Sequence, residues 1–173
     1  LGTLLEKDIH PDPMVQFRGW LSAAMEGELP DWVEVNAMTL STTDTDGRPT
    51  SRIVLLKSLD QGKFWFYTNY GSQKAQQMSA CPQVSLCFLW QHVQRQVRIE
   101  GTVEQAHREH SIAYFRKRPR DSQLGAIVST QSSVIPSREV LESKLAELQR
   151  EYQDGQIPCP DDWGGYCVTP HRI

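Results

Sequence analysis

Short segments of alternating polarity, separated by tight turns, limit most strongly what this chain can fold into. Residues 36–42 alternate as a half-buried strand does, and residues 63–69 alternate again. Between them, residues 51–57 are apolar enough to predict a largely buried strand, and turn sequences at 44–47 and 60–62 flank it. Strands joined by so few residues pair antiparallel, because a parallel pair needs a long crossover. The sequence therefore predicts an antiparallel meander.

The rest of the chain adds helices to this β framework. Asp12 and Pro13 open a helix well, because Asp caps helices and Pro fits the first helical position. Further strands are predicted over residues 84–90, 94–105 and 165–169, and further helices over 72–80, 107–117, 122–129 and 138–152. We expect one domain over residues 1–173, mainly β with flanking helices, and built as a β-barrel.

Composition narrows the classes of partner. A net charge of −3 at pH 7 gives no reason to expect binding to nucleic acid, so an anion site would have to be local. No stretch approaches the ~20 apolar residues that span a membrane, and we expect no membrane partner. The four cysteines form no C-x-x-C pair, which predicts reduced thiols in a cytoplasmic protein.

Several familiar site motifs are missing from the sequence. His107 and His110 are three residues apart but have no evident third ligand, so no metal site is predicted. A G-x-S-x-G sequence, a P-loop and a G-x-G-x-x-G sequence are all absent. A nucleotide-type cofactor would therefore be held in some other way than in a Rossmann fold.

Two cations interrupt an otherwise apolar segment. Arg52 and Lys57 are five positions apart, so they would point to opposite faces of a regular strand. They are either strand-end residues whose charges reach water or ligands for an anion. The following Ser72, Gln73 and Lys74 favour the anion, because a helix N-terminus with a nearby Lys suits a phosphate.

The densest basic run of the chain covers residues 116–120. Such a run usually marks a solvated helix end, where basic side chains also suit the helix dipole. However, Tyr114 lies one helical turn before Arg118, and Ser122 follows four residues later. If Pro119 turns the chain, these three side chains could converge on one phosphate. On spacing alone both interpretations stay open.

Taken together, these segments resemble the pyridoxine/pyridoxamine 5'-phosphate oxidase family. The motifs that carry the resemblance occur in order between about residues 11 and 170. They are Asp12-Pro13 with Phe17 and Trp20, Asn36-Ala37-Met38, Asp46-Gly47-Arg48-Pro49, Arg52-Ile53-Val54-Leu55-Leu56-Lys57, Tyr67-Thr68-Asn69, Arg95-Gln96-Val97-Arg98-Ile99-Glu100-Gly101, Tyr114-Phe115 with Arg118-Pro119, Gln131-Ser132 and Trp163-Gly164-Gly165-Tyr166. Each motif is weak alone, and the set is specific.

The resemblance implies an FMN-binding split β-barrel of the antiparallel Greek-key type. It also implies oxidation of pyridoxamine or pyridoxine 5'-phosphate to pyridoxal 5'-phosphate, with FMN as cofactor and O2 as the oxidant that yields hydrogen peroxide. The family is dimeric, with FMN in clefts between the subunits, so a homodimer is expected.

The resemblance further implies a set of binding residues. The expected FMN contacts are Arg52, Ile53, Val54, Leu55, Lys57, Tyr67, Thr68, Gln73, Lys74, Gln96, Gln131 and Ser132. The expected substrate contacts are Lys57, Tyr114, Arg118 and Ser122, the last three at the substrate phosphate.

The sequence departs from the family pattern in two ways. The family usually has Arg at the position of Gln73, so one charge at the FMN phosphate is missing. The family also continues past the Trp163 motif into a Trp and an Arg-Leu-His-Asp-Arg motif that complete both sites. None of that lies within residues 1–173, and no catalytic residue is assigned there. We expect the C-terminal part of the family domain to be missing from this sequence.

Two alternative functions remain at this point. One is another flavin oxidoreductase on the same barrel, such as a phenazine-pathway oxidase or a flavin reductase. The phosphate set around Arg118 argues against it, because those substrates need no phosphate pocket. The other is a truncated homologue that binds FMN or pyridoxal phosphate without turnover.

Overall fold

In the computed structural model, which describes residues 4–173, antiparallel strands form one curled sheet with helices packed around it. The strands are β1 (Ala37–Thr43), β2 (Pro49–Leu55), β3 (Ser58–Asp60), β4 (Lys63–Asn69), β5 (Gln83–Trp90), β6 (Arg95–Gln105) and β7 (Trp163–Arg172). The α-helices are α1 (Pro13–Met25), α2 (Gln73–Ala80), α3 (Arg108–Lys117), α4 (Arg120–Val128) and α5 (Arg138–Glu151). The expected class, mainly β with flanking helices, is confirmed.

The strand order explains why the sheet curls. Hydrogen-bonded neighbours run β2-β1-β5-β6-β7-β4-β3, so β2 and β3 are the two outermost strands. The chain nevertheless passes from β2 to β3 within a few residues, which brings the two ends of the sheet together. At this seam the Leu56 amide donates to the Asn36 carbonyl, and the Lys57 amide donates to the Trp65 carbonyl, both at 2.8 Å. The chain thus changes its partner strand between Leu56 and Lys57.

This change of partner corrects two sequence predictions. Residues 51–57 do not form one buried strand, because β2 ends at Leu55 and its residues are exposed or half-buried. The regular meander is also wrong beyond the β1–β2 pair, because β4 pairs with β3 and β7 and not with β2. Alternation within each segment predicted the strands correctly, whereas their partners depend on contacts distant in sequence.

The core lies between the inner face of the sheet and α1. The Asp12 carboxylate caps α1 by accepting from the amides of Met14 (2.8 Å) and Val15 (3.4 Å), as the sequence predicts. The helix then buries Phe17, whose ring lies 5.0 Å from those of Phe64 and Phe88. Aromatic pairs in this geometry stabilise a core beyond their buried area.

A second apolar cluster holds the helices against the start of β7. Phe115 from α3, Leu124 from α4 and Trp163 from β7 are buried together with Ile157. Gly164 follows Trp163 in a crowded position, where any Cβ would collide with the Tyr70 hydroxyl. The cluster therefore fixes α3 and α4 beside the strand that carries Trp163.

The sheet also has a face turned away from the core. We call it the outer sheet face and define it by Thr39, Ile53, Cys87, Leu89 and Arg98. Ile53 is 63% exposed and Leu89 is 59% exposed, although both lie within strands. Exposed apolar side chains on one face of a sheet suit a surface that another protein chain covers.

Candidate active site

The best-defined cleft lies beside the free edge of β2, between β4 and the turn that joins α3 to α4. Its volume is about 520 Å³, which suits a small molecule. It is lined by Ile53, Val54, Leu55, Lys57, Tyr67, Thr68, Lys74, Tyr114, Lys117, Arg118, Pro119, Ser122, Gln131 and Trp163. The cleft therefore brings together residues from across the chain, including every residue expected to contact the substrate.

The charge of this cleft is one-sided. Lys57, Lys74, Lys117 and Arg118 line it, and no Asp or Glu does. The chain as a whole carries a net charge of −3, so this concentration of positive charge is local. A cleft with several cations and no carboxylate is electrostatically suited to an anion.

Arg118 is the cation whose environment is most informative. Its guanidinium carbon lies 4.6 Å from the centre of the Trp163 ring and 5.7 Å from that of Phe115. Its Nη1 atom is buried and has no hydrogen-bond partner among residues 4–173. Burial lowers the pKa of this guanidinium from its usual value. A solvated helix end would not leave a buried, unpaired donor, so the structure favours the anion interpretation of this basic run.

The turn that carries Arg118 is held by a neighbouring amide. α3 ends at Lys117 and α4 begins at Arg120, so Pro119 does turn the chain between them. The Gln123 side-chain amide donates to the carbonyls of Phe115 (3.0 Å) and Arg118 (3.1 Å). Gln123 therefore ties the Arg118 carbonyl to the end of α3, where the Phe115 carbonyl also accepts from the Arg118 amide.

Aromatic side chains form one wall of the cleft. The rings of Tyr67 and Tyr114 stack with their centres 3.8 Å apart, and Trp163 stacks on Tyr67 at 5.5 Å. Burial raises the pKa of Tyr67 to about 12, so its hydroxyl stays protonated at neutral pH. Trp163 and Lys117 line the cleft although neither was predicted from the sequence as a site residue.

At the other end of the cleft, Lys74 is buried among neutral partners. Its Nζ donates to Oε1 of Gln131 (2.6 Å) and to Oγ1 of Thr68 (3.2 Å). Burial, together with the nearby positive charge of Arg52, lowers the pKa of Lys74 to about 8. Within the described part of the chain, no carboxylate forms an ion pair with it. An anionic ligand would restore the charge balance here.

Arg52 does not line the cleft. It points inward from β2, where its guanidinium donates to the hydroxyls of Thr42 and Thr50, both at 2.6 Å. Gln77 Oε1 lies 3.3 Å from the same guanidinium. Lys57 lies beyond the end of β2 and does line the cleft. The two cations are therefore separated by the change of partner strand and not only by strand alternation.

Three other expected contacts, Gln73, Ser132 and Gln96, lie outside the cleft lining. The backbone N–H of Gln73 donates to Oγ of Ser132 at 3.3 Å, which places both residues next to Lys74 and Gln131. Ser72 precedes α2, but its hydroxyl donates to the Asn69 carbonyl and does not cap the helix.

Gln96 lies further away, on β6. It lines a separate cavity of about 430 Å³ together with Trp20 and Arg98. One chain therefore does not bring Gln96 to the cleft around Arg118.

Residues 4–173 contain neither a metal-binding cluster nor a membrane-spanning helix. No group of three or more His, Cys, Asp or Glu side chains is placed to hold a metal ion. None of the helices described is long and apolar enough to cross a membrane.

Comparisons with known proteins agree on one family. The family model described as pyridoxamine 5'-phosphate oxidase matches residues 24–151. A pyridoxine/pyridoxamine 5'-phosphate oxidase from Rhodopirellula baltica is 60% identical over 171 residues, which cover 98% of this chain and 76% of that protein. A protein of the same name from Gloeothece citriformis is 50% identical over 173 residues, covering 100% of this chain and 79% of the relative.

Solved structures share the fold at lower identity. PhzG from Burkholderia lata, in complex with tetrahydrophenazine-1-carboxylic acid, superposes with a TM-score of 0.88 at 24% identity, covering 98% of this chain and 82% of PhzG. A pyridoxamine 5'-phosphate oxidase-related, FMN-binding protein from Nostoc punctiforme has a TM-score of 0.69 at 17% identity, covering 94% of this chain and 82% of that chain. The expected split-barrel architecture is thereby confirmed.

Proposed function

Because the chain belongs to the pyridoxamine 5'-phosphate oxidase family, we propose that it oxidises pyridoxamine or pyridoxine 5'-phosphate to pyridoxal 5'-phosphate. The oxidant is O2, which is reduced to hydrogen peroxide, and the cofactor is FMN. When the substrate is the amine, water is taken up and the nitrogen leaves as ammonia. The observation that carries this proposal is the cleft beside β2, which has four cationic lining residues and no acidic one. Both the cofactor and the substrate of such a reaction bear a phosphate, which needs this kind of surface.

The residues of the cleft fit a phosphorylated flavin. Lys74 is a buried cation without an acidic partner among residues 4–173, and Gln131 and Thr68 point polar atoms towards it. Lys57 adds a second cation at the seam of the sheet. When bound, FMN would accept a hydride from the substrate and would then be reoxidised by O2. The protein then has to bind and orient, which agrees with the absence of an evident nucleophile in the sequence.

The substrate phosphate is assigned to the turn between α3 and α4. Arg118 offers a buried, unpaired Nη1, and the hydroxyls of Tyr114 and Ser122 line the same cleft. Arg binds phosphate through a planar fork, and hydroxyls add neutral donors. The stacked rings of Tyr67 and Tyr114 form an aromatic wall that suits a flat heterocycle.

We include a homodimer in the proposal. Gln96 is an expected flavin contact, yet it lies in a separate cavity of the same chain. A second copy packed on the outer sheet face would allow Gln96 of the partner subunit to complete the site, as a two-fold interface permits. The exposed Ile53 and Leu89 support this surface. A cytoplasmic location is also part of the proposal and rests on the four cysteines, which are free thiols.

A different oxidase of the same fold is the second candidate. PhzG shares this fold, so the fold alone does not specify the substrate. The test uses the full-length protein loaded with FMN and compares pyridoxamine 5'-phosphate with pyridoxamine. We expect hydrogen peroxide and pyridoxal 5'-phosphate from the first and very little turnover of the second. Equal turnover of both compounds, or of neither, would reject the proposed substrate class.

A further inference from the structure

Helix α3 holds the start of β7 at two points. Arg108, at the beginning of the helix, donates from Nη1 to the carbonyls of Pro160 (2.9 Å) and Trp163 (3.0 Å), and from Nη2 to that of Cys159 (2.6 Å). One turn later, Oγ of Ser111 accepts from the Gly165 amide at 3.0 Å. A single guanidinium thus satisfies three backbone carbonyls of one loop, and charged hydrogen bonds of this kind are stronger than neutral ones.

The residue fixed by these contacts reaches the cleft. Trp163 lines it, and the Arg118 guanidinium lies on its ring at 4.6 Å. Since Nη1 of Arg118 has no hydrogen-bond partner in the described chain, stacking on Trp163 and Phe115 is what defines the place of this nitrogen. A shift of Trp163 would therefore shift Arg118.

We propose that Arg108 is a positioning residue for phosphate recognition, acting through Trp163 on Arg118. This inference rests on the proposed function, because it assumes that Arg118 binds the substrate phosphate. It assigns Arg108 a role in selectivity for phosphorylated over unphosphorylated ligands. The Arg108 guanidinium bonds to the segment of residues 159–163, including an ion pair with Asp161 at 3.2 Å, and Arg108 lies outside the cleft lining.

The test measures binding of pyridoxal 5'-phosphate and of pyridoxal to the full-length, FMN-loaded protein by absorbance titration. In Arg108→Ala we expect affinity for pyridoxal 5'-phosphate to fall about 5- to 20-fold, in line with loss of a cation–π contact. Affinity for pyridoxal should change less than about twofold, because pyridoxal has no phosphate for Arg118 to bind. If Arg108 had only a structural role, Arg108→Ala would lower the affinity for both ligands to the same extent. That result would overturn the inference.

Arg120 provides a matched control. It also lies on a helix and donates to loop carbonyls, those of Gly155 and Tyr152, but none of these residues lines the cleft. Arg120→Ala should therefore leave the ratio of the two affinities unchanged. If Arg108→Ala does not fold, Arg108→Lys decides, since Lys keeps the charge but not the fork and should lower the ratio in part.

A double mutant separates this inference from the proposed function. If Arg108 acts through Arg118, adding Arg108→Ala to Arg118→Ala should have little further effect on binding of pyridoxal 5'-phosphate. Additive losses would overturn the inference. If the unmodified protein does not prefer the phosphorylated ligand, the proposed function fails instead. If it does, and Arg108→Ala keeps that preference, only the role of Arg108 is rejected.

Discussion

The guanidinium of Arg118 rests on the ring of Trp163 at 4.6 Å while its Nη1 atom, buried, has no hydrogen-bond partner among residues 4–173. A buried donor without a partner costs free energy, and a ligand that accepts its hydrogen bond recovers that cost. The arrangement therefore identifies Arg118 as the side chain with most to gain from an anion.

We expect Arg118→Ala to raise the KM for pyridoxamine 5'-phosphate by about 30- to 1000-fold, which corresponds to roughly 2–4 kcal/mol of lost phosphate binding. Arg118→Lys should recover part of the loss, because Lys keeps the charge but not the fork. FMN content, read from flavin absorbance, should stay the same. Arg116, which is exposed and outside the cleft lining, is the control. Equal, small effects of Arg118→Ala and Arg116→Ala would make Arg118 an ordinary surface residue.

Gln123 should affect substrate binding because it holds the turn that carries Arg118. Gln123→Ala removes the amide that donates to the carbonyls of Phe115 and Arg118, so the turn loosens. We expect KM to rise by about 5- to 10-fold, as for loss of one or two neutral hydrogen bonds, with kcat nearly unchanged. Gln83→Ala is the control, because the Gln83 amide also forms a hydrogen bond, to Thr102, but outside the cleft. A fall in kcat with constant KM would contradict this prediction.

The lowered pKa of Lys74 predicts that the affinity for FMN depends on pH. Its pKa in the ligand-free protein is lowered to about 8, so the ammonium is mostly charged at pH 7 and mostly neutral at pH 9. Because a phosphate favours the charged form, affinity should fall about tenfold between these pH values. The measurement is quenching of flavin fluorescence on titration with the apoprotein.

The matched variant for this prediction is Lys74→Met, which keeps the length of the side chain and removes its charge. Its FMN affinity should be lower by about 10- to 150-fold, as for loss of one charged hydrogen bond. Its affinity should also stay nearly constant from pH 7 to pH 9. An unchanged slope in the variant would show that another group titrates.

Leu89 tests the outer sheet face. Leu89 is 59% exposed and pairs with Gln96 across β5 and β6. Leu89→Arg should convert the proposed dimer to a monomer, because a charge buried without a partner is costly, and FMN should then be lost. Val140→Arg on α5, where Val140 is 48% exposed, is the control and should leave the mass in light scattering unchanged. A monomer that retains FMN would disprove the shared site.

The sequence was informative where function depends on neighbours in the chain. Tyr114, Arg118 and Ser122 lie within one helix–turn–helix segment, so their spacing offered convergence as one of two interpretations, and all of them line the cleft. The start of α1 followed from local capping for the same reason, at Asp12.

Other features depend on contacts that no local pattern specifies. The inward orientation of Arg52 depends on Thr42 and Gln77, which come from other parts of the sequence, as well as on Thr50 two residues earlier on β2. Trp163 enters the cleft because the loop before it is held by Arg108. A signal for Trp163 did exist, since an aromatic residue followed by two glycines marks a close approach of the backbone, but its target is set by tertiary packing.

The change of partner strand at Leu56 and Lys57 has a consequence for local opening of the barrel. The amide of Lys57 bonds to Trp65 on β4, the strand that also supplies Tyr67 and Thr68 to the cleft. A seam held by few backbone hydrogen bonds opens more readily than a fully paired strand. A ligand that bridges β2 and β4 ties the two sides of the seam together, so part of its binding free energy should appear as slower hydrogen exchange at the Lys57 amide.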